Sequence, residues 1–215
     1  MLTLWGRASS VNVQKVLWAL DELGLAYERM DAGGRYGVTD TDAFAALNPN
    51  RRVPVLQDGD LTLWESDAIL RWLAQREGRL MPEAPDDRAR TEQWLCWSAS
   101  TLQPPFVALF WQTVRLPERQ RDAAVEARAR AELEAALSIL DGALARQAWL
   151  TGPGFGIADI AAGSLLHRLA ALGMMAPARP ALAAWAERLA GRPAWQRHIA
   201  TSFDELRAPP EPAQR

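Results

Sequence analysis

The chain has 215 residues, 49% of them hydrophobic, and a formal charge of -2, a balance that suits a globular protein with a proper core and gives no global field for nucleic acid. One cysteine, Cys96, excludes an internal disulfide, and no Cys-x-x-Cys or Cys/His cluster offers a zinc site or a redox pair. No apolar run reaches membrane-spanning length and no charged leader precedes the first apolar residues, so the expectation is a cytoplasmic protein with no metal, membrane or nucleic-acid partner.

Residues 2–5 read as a short strand and 6–10 as a loop. Val13, Val16, Leu17, Leu20 and Leu23 then fall at helical spacing, with Gly24 as a stop. A second strand over 26–30, a polar loop over 32–41 and a short helix over 42–47 follow, and a right-handed crossover makes the first two strands parallel. Two more strands, 55–57 and 61–63, are divided by the turn Asp58-Gly59-Asp60 and closed by a helix carrying Ala68, Ile69, Trp72 and Leu73. The order βαβαββα makes residues 1–77 an α/β domain with a mixed four-stranded sheet. Residues 78–87, with Pro82 and Pro85 among acids and no periodicity, read as a linker to an all-α helical-bundle domain over 88–207.

In that second domain, Trp94, Leu95, Leu102, Phe106, Leu109 and Phe110 predict a long helix kinked around Pro104-Pro105, and the spacing from Val125 to Leu144 predicts another. Ile157, Ile160, Ala161, Ser164, Leu165, Leu169 and Leu172 trace a third, with so few charges that it should be the buried centre of the bundle. Two shorter helices, over 180–190 and 193–200, precede a proline-rich tail, 208–215, expected to be disordered. Cys96, between Trp94 and Trp97, reads as a buried apolar residue.

Two segments carry chemistry. In Asn48-Pro49-Asn50-Arg51-Arg52-Val53-Pro54, an X-Pro step enters a strand. Proline has no N–H and pushes its predecessor to extended angles, so this step interrupts sheet pairing and leaves backbone exposed. A cis bond there would aim the Val53 N–H and C=O at an extended peptide. In Trp64-Glu65-Ser66-Asp67-Ala68-Ile69, an acid, a hydroxyl and free helix-start N–H groups stand together. Both segments suit a small peptide zwitterion.

With these motifs, the chain resembles the cytosolic glutathione transferases along nearly its whole length. The resemblance rests on Val53-Pro54 before the third strand, on Glu65-Ser66, and on Gly156-Ile157-Ala158-Asp159, which is similar to the family's helix-capping segment except that Gly156 stands where Ser or Thr is usual. Gly6-Arg7-Ala8-Ser9-Ser10-Val11-Asn12 is similar to the serine-type loop of theta- and phi-like members, and bacterial members often carry Asn at the Asn12 position. The loop has neither the tyrosine of other classes nor the cysteine of omega- and beta-like ones.

The resemblance implies a thioredoxin-like N-terminal domain, a homodimer, glutathione as co-substrate and conjugation of its sulfur to a small apolar electrophile. The thiolate is the nucleophile, and lowering a free-thiol pKa of about 8.5 by roughly two units needs about 2.7 kcal/mol. One hydroxyl donor at about 1.5–3 kcal/mol and a helix N-terminus at roughly 0.3–1 more can supply that without a general base. Ser10 is the candidate donor, with Asn12 second. Ser66 is assigned the γ-glutamyl carboxylate, Glu65 the ammonium region, Val53 beside Pro54 the cysteinyl backbone, and Arg52 the glycyl carboxylate, ahead of Arg35 and then Arg7. The electrophile pocket is expected between the domains, walled by the active-site loop and by Phe106, Phe110 and Trp111. Alternative readings are a non-catalytic interaction or regulatory protein on this fold, and a specialised isomerase, dehalogenase or peroxide reductase using the same thiolate.

Overall fold

Strands β1 (Leu2–Trp5), β2 (Tyr27–Met30), β3 (Val55–Asp58) and β4 (Leu61–Trp64) form one mixed sheet in the order β2-β1-β3-β4. β1 runs parallel to β2 and antiparallel to β3, and β3 pairs with β4 as a hairpin. The computed structural model describes residues 1–175 and 178–209. Helix α1 (Val11–Leu23) follows β1 and stops at Gly24, whose φ of 72° is the left-handed C-cap predicted from sequence. Helix α2 (Asp42–Leu47) is capped by the Thr41 hydroxyl and brings Phe44 onto one face of the sheet with Ala32 and Val55. Helix α3 (Ser66–Glu77) packs with α1 on the other face, where Leu2, Leu4, Val16, Leu20, Leu56, Ile69 and Leu73 are buried.

The remaining elements are helical. α4 (Pro85–Trp97) begins inside the segment 78–87, with Pro85 in the first turn, where a missing N–H costs no hydrogen bond. The helix then runs through a π-helical turn (Ser98–Leu102), α5 (Gln103–Phe110) and a second π-helical turn (Trp111–Arg115). Pro104 and Pro105 lie in the first turn of α5, so the π turn before them absorbs the ladder bonds they cannot make, where sequence predicted a kink.

α6 (Ala123–Leu144) is capped by Asp122, which accepts from the Ala124 and Val125 N–H groups at 2.8 and 3.3 Å. The predicted third helix is two, α7 (Ile157–Gly163) and α8 (Leu166–Ala171), followed by α9 (Pro180–Ala190) and α10 (Pro193–His198). The break has a local cause. Ser164 donates its hydroxyl to the Ala161 carbonyl three residues back, and Leu165 bonds Ala162 at the same short spacing, tightening the turn. All seven residues of α7 are buried, as the centre of the bundle should be. The predicted tail over 208–215 lies from residue 210 onward outside the described residues, and Ala208 N–H donates to the Val114 carbonyl at 2.9 Å.

One core runs through both halves, because α1 packs on α7 and α10 as well as on α3. Glu22 on α1 reinforces the junction by accepting both Nε (2.7 Å) and Nη2 (2.6 Å) of Arg192, whose guanidinium also stacks 3.7 Å from the Phe155 ring centre. Cys96 corrects the sequence reading: it is exposed, on the outward face of α4, with the Arg71 guanidinium 3.9 Å away, while Leu95 takes the buried position.

Gly156 explains its own departure from the capping pattern. A Cβ there would lie 2.3 Å from the Leu80 carbonyl oxygen and 2.6 Å from Thr151 Cγ2, so the usual serine or threonine has no room. Half of the box survives: the Asp159 carboxylate accepts from Gly156 N–H at 3.1 Å. Restoring the family residue by Gly156→Ser should therefore destabilise, by about 2 kcal/mol. Calorimetry should show a melting point lower by roughly 4–8 °C. An unchanged midpoint would mean that the Leu80 backbone yields.

Candidate active site

The loop between β1 and α1 is fixed from three sides. Gly6 has φ 149°, and a Cβ on it would meet Val13 Cγ2 at 2.4 Å and Val53 Cβ at 3.1 Å, so only glycine lets the loop pass between the helix and the cis-proline turn. Arg29 donates to the Gly6 carbonyl at 2.9 Å, and Arg168 on α8 donates to the Ser9 carbonyl at 2.7 Å. Ser10 is the N-cap of α1, yet its hydroxyl takes no capping bond and stays at the wall of a cleft.

Asn12, in the first turn of α1, belongs to a buried polar chain. Lys15, the sole lysine and 1% exposed, donates to Asp67 Oδ1 at 3.1 Å and to Gln103 Oε1 at 3.0 Å; Gln103 Nε2 in turn donates to Asn12 Oδ1 at 3.2 Å. An ammonium only donates, so it must meet the oxygen of Gln103, which turns the Gln103 NH₂ to Asn12 and the Asn12 carbonyl to Gln103. The Asn12 NH₂ is left as a donor facing away from the chain.

The Val53-Pro54 bond is cis. The preceding turn is held by Asn48, which donates to the Arg52 carbonyl at 2.8 Å and accepts from Asn50 N–H at 2.9 Å. Among the described residues Val53 makes no backbone hydrogen bond, so its N–H and C=O form an open edge before Val55 joins the sheet. Glu65 has φ 69°, a left-handed conformation that is costly for a non-glycine residue and clusters at functional sites. It exposes the Glu65 side chain and starts α3 at the buried Ser66, whose neighbouring N–H groups have no intrahelical partners.

Arg52 and Arg35 differ. Arg52 is exposed and makes no ion pair among the described residues, whereas Arg35 pairs with Glu205 at 3.3 Å and donates to the Tyr36 hydroxyl at 2.7 Å.

A cleft of about 140 Å³ opens beside Ser10, and Phe106, Phe110 and Trp111 line it, as does Ser9. Its wall also includes Arg7, from the active-site loop, and Arg115 and Arg168, two residues that the sequence reading does not place in the pocket. Arg168 is 5% exposed, packs over the Phe110 and Phe203 rings, and meets only neutral acceptors, the Ser9 carbonyl and Gln14 Oε1. Burial, then Arg7 and Arg115, push its pKa down to about 10, which leaves it charged at neutral pH. Burial followed by Arg115 also lowers that of Arg7, against an opposing pull from Glu205. These residues come from the first loop, the second π turn and α8, and no sequence spacing connects them. The Lys15 chain did leave a signal, the one lysine in a protein that otherwise uses arginine.

No helix among the described residues is long and apolar enough to cross a membrane, and no group of three or more His, Cys, Asp or Glu among them could hold a metal ion. The arrangement offers an open backbone edge at Val53, a helix start at Ser66 and a hydroxyl at Ser10 on the wall of an aromatic, cationic cleft.

Comparison with known proteins places this architecture. The family profile described as the glutathione S-transferase N-terminal domain matches residues 1–75, and that of the C-terminal domain matches residues 101–193. The chain is 42% identical over 199 residues to glutathione S-transferase GstB of Escherichia coli strain K12, covering 90% of this chain and 95% of that protein. It is 34% identical over 221 residues to glutathione S-transferase 3 of Zea mays, covering 99% and 97%. Among solved structures, the theta class glutathione S-transferase of Xanthomonas axonopodis pv. citri with glutathione bound superposes with a TM-score of 0.89 at 44% identity, over 94% of this chain and 98% of that one. Fold, relatives and both family profiles agree, and the chain belongs to the glutathione S-transferase family.

Proposed function

We propose that the protein binds glutathione along the Val53-Pro54 edge, holds it as a thiolate at Ser10 and transfers its sulfur to a small electrophile in the cleft beside that residue. The observation that carries this reading is the uncommitted Ser10 hydroxyl at the start of α1, on the wall of the cleft. The helix-start dipole and the nearby guanidiniums favour negative charge at the sulfur, and the Asn12 NH₂ supplies a second donor. Ser66 and the α3 N-terminus take the γ-glutamyl carboxylate, and Glu65 takes the ammonium region. Arg52, with no ion pair among the described residues, takes the glycyl carboxylate in preference to Arg35, which Glu205 already engages. The retained site favours transfer chemistry over a non-catalytic interaction role.

A glutathione titration read by thiolate absorbance tests the mechanism. The bound thiol should ionise about two units below its free pKa of about 8.5. Ser10→Ala should erase most of that shift while binding persists, and Ser9→Ala should not. If neither variant moves the bound pKa, the serine mechanism is wrong. If glutathione does not bind, the enzyme reading falls with it.

The proposed assembly is a cytoplasmic homodimer. Leu61 and Trp64 are exposed on β4, a free sheet edge of the kind that needs covering. Light scattering should return twice the chain mass, and Trp64→Glu should shift the population toward monomer.

A further inference from the structure

The cleft beside Ser10 carries more positive charge than thiolate activation needs. Arg7, Arg115 and Arg168 converge on it, and none makes an ion pair among the described residues. Glu205, the acid whose charge reaches Arg7, is itself paired with Arg35. Arg7 Nε is buried without a hydrogen-bond partner, and Arg115 is held over the Trp111 ring at 4.5 Å. Arg168 is buried with only neutral acceptors. A buried cation is ordinarily matched by a carboxylate, because removing it from water is costly. Here the protein is net negative, yet among the described residues no carboxylate pairs with any of the three arginines on the wall of the cleft. Phe106, Phe110 and Val107 line the same cleft, and the Arg168 guanidinium lies 5.2 Å from the Phe110 ring centre, so the wall combines apolar and cationic groups.

Resting on the transferase reading above, we infer that the preferred electrophile carries a carboxylate, sulfonate or similar anionic group close to its reactive carbon, and that Arg7, Arg115 and Arg168 bind that group while the thiolate attacks. The step is a displacement: the glutathione sulfur forms the S–C bond, the carbon–leaving-group bond breaks, and the leaving group departs with its electron pair. No oxidant, reductant or further co-reactant is required. In free solution an anionic thiolate and an anionic electrophile repel each other. A triad of guanidiniums removes that penalty and fixes the reactive carbon beside Ser10.

Iodoacetate and iodoacetamide test this, because they share size, reactive carbon and leaving group and differ in charge. For each, the enzymatic kcat/KM is divided by the uncatalysed rate with glutathione, and the ratio of the two accelerations is the readout. The wild type should accelerate iodoacetate the more, by about tenfold, or about 1.4 kcal/mol of discrimination. Arg115→Gln, at a half-buried position tolerant of substitution, should bring the ratio toward one, and Arg115→Lys should restore part of it. Arg7→Gln provides an independent variant. A wild-type ratio of one or below overturns the inference. So does an Arg115→Gln variant that keeps the wild-type ratio but has a raised KM for glutathione, which would assign the arginines to the tripeptide. Thiolate absorbance on the same samples separates the two levels. If the thiolate forms and neither reagent is accelerated, the inference fails alone; if no thiolate forms, the transferase reading fails too.

Discussion

Asp159→Asn should cost more than about 3 kcal/mol of stability, although it changes one atom. Asp159 is fully buried and its carboxylate accepts four hydrogen bonds. Oδ1 accepts from Leu150 N–H at 2.8 Å and from the Trp185 indole N–H at 2.9 Å; Oδ2 accepts from Thr151 N–H at 3.2 Å and Gly156 N–H at 3.1 Å. Burial pushes the carboxyl pKa up, while the hydrogen bonds from Leu150, Trp185 and Thr151 oppose it. An asparagine can offer its one carbonyl to only two of the four. Whichever way the amide turns, its NH₂ faces two N–H groups and leaves two buried donors unmet. The effect should localise: hydrogen exchange should rise first over residues 150–157, the loop that seats α7 at the centre of the bundle. Trp185→Phe removes one donor and no acceptor, and should cost only about 1 kcal/mol by chemical denaturation. Equal losses from the two variants would show that packing of the indole, not the carboxylate, holds the segment.

The resemblance made the Gly156–Asp159 cap readable from sequence, while most of the N-terminal topology was readable from the residue pattern itself. Alternating or helically spaced apolar residues fixed β1, α1 and the β3–β4 hairpin to within a residue, because those elements bury a face whose period is local. The break between α7 and α8 was not visible. Gly163, Ser164 and Leu165 are compatible with a continuous helix, and only the way Ser164 bonds back to Ala161 tightens the turn. Cys96 was misplaced for a similar reason, since its neighbours Trp94 and Trp97 are apolar but the outward face of α4 falls between them. The unusual backbone at Val53-Pro54 and Glu65-Ser66 was legible because proline and helix starts mark such places in sequence, whereas Ser10 was singled out by the resemblance. The cationic half of the cleft was hidden. Its arginines come from three distant elements, and among so many surface arginines nothing distinguishes Arg168 until α8 delivers it to the Ser9 carbonyl.

Lys15→Met should raise the pKa of the enzyme-bound thiol by about one unit, cutting the thiolate present below that pKa about tenfold. Lys15 is not among the residues that line the cleft. Its role is to orient. As the one obligate donor in the chain Asp67, Lys15, Gln103 and Asn12, it sets the direction of both amides and so keeps the Asn12 NH₂ turned outward as a donor. It also ties α1, at whose start we propose the sulfur is activated, to the first turn of α3, proposed to hold the tripeptide carboxylate, so its loss should loosen two ends of the proposed site. Methionine matches its length but strands the Asp67 carboxylate, which is 13% exposed, and some loss of stability is expected for that reason alone. The double variant Lys15→Met/Asp67→Leu removes the stranded charge and should recover the melting point without recovering the thiol pKa. A double-mutant cycle with Asn12→Ala then isolates the orienting effect: if Lys15 acts through Asn12, adding Lys15→Met to Asn12→Ala should move the bound thiol pKa no further. Additive shifts would mean instead that the lysine charge itself stabilises the thiolate through space, and an unshifted thiol pKa in the single variant would reduce Lys15 to a structural tie between α1 and α3.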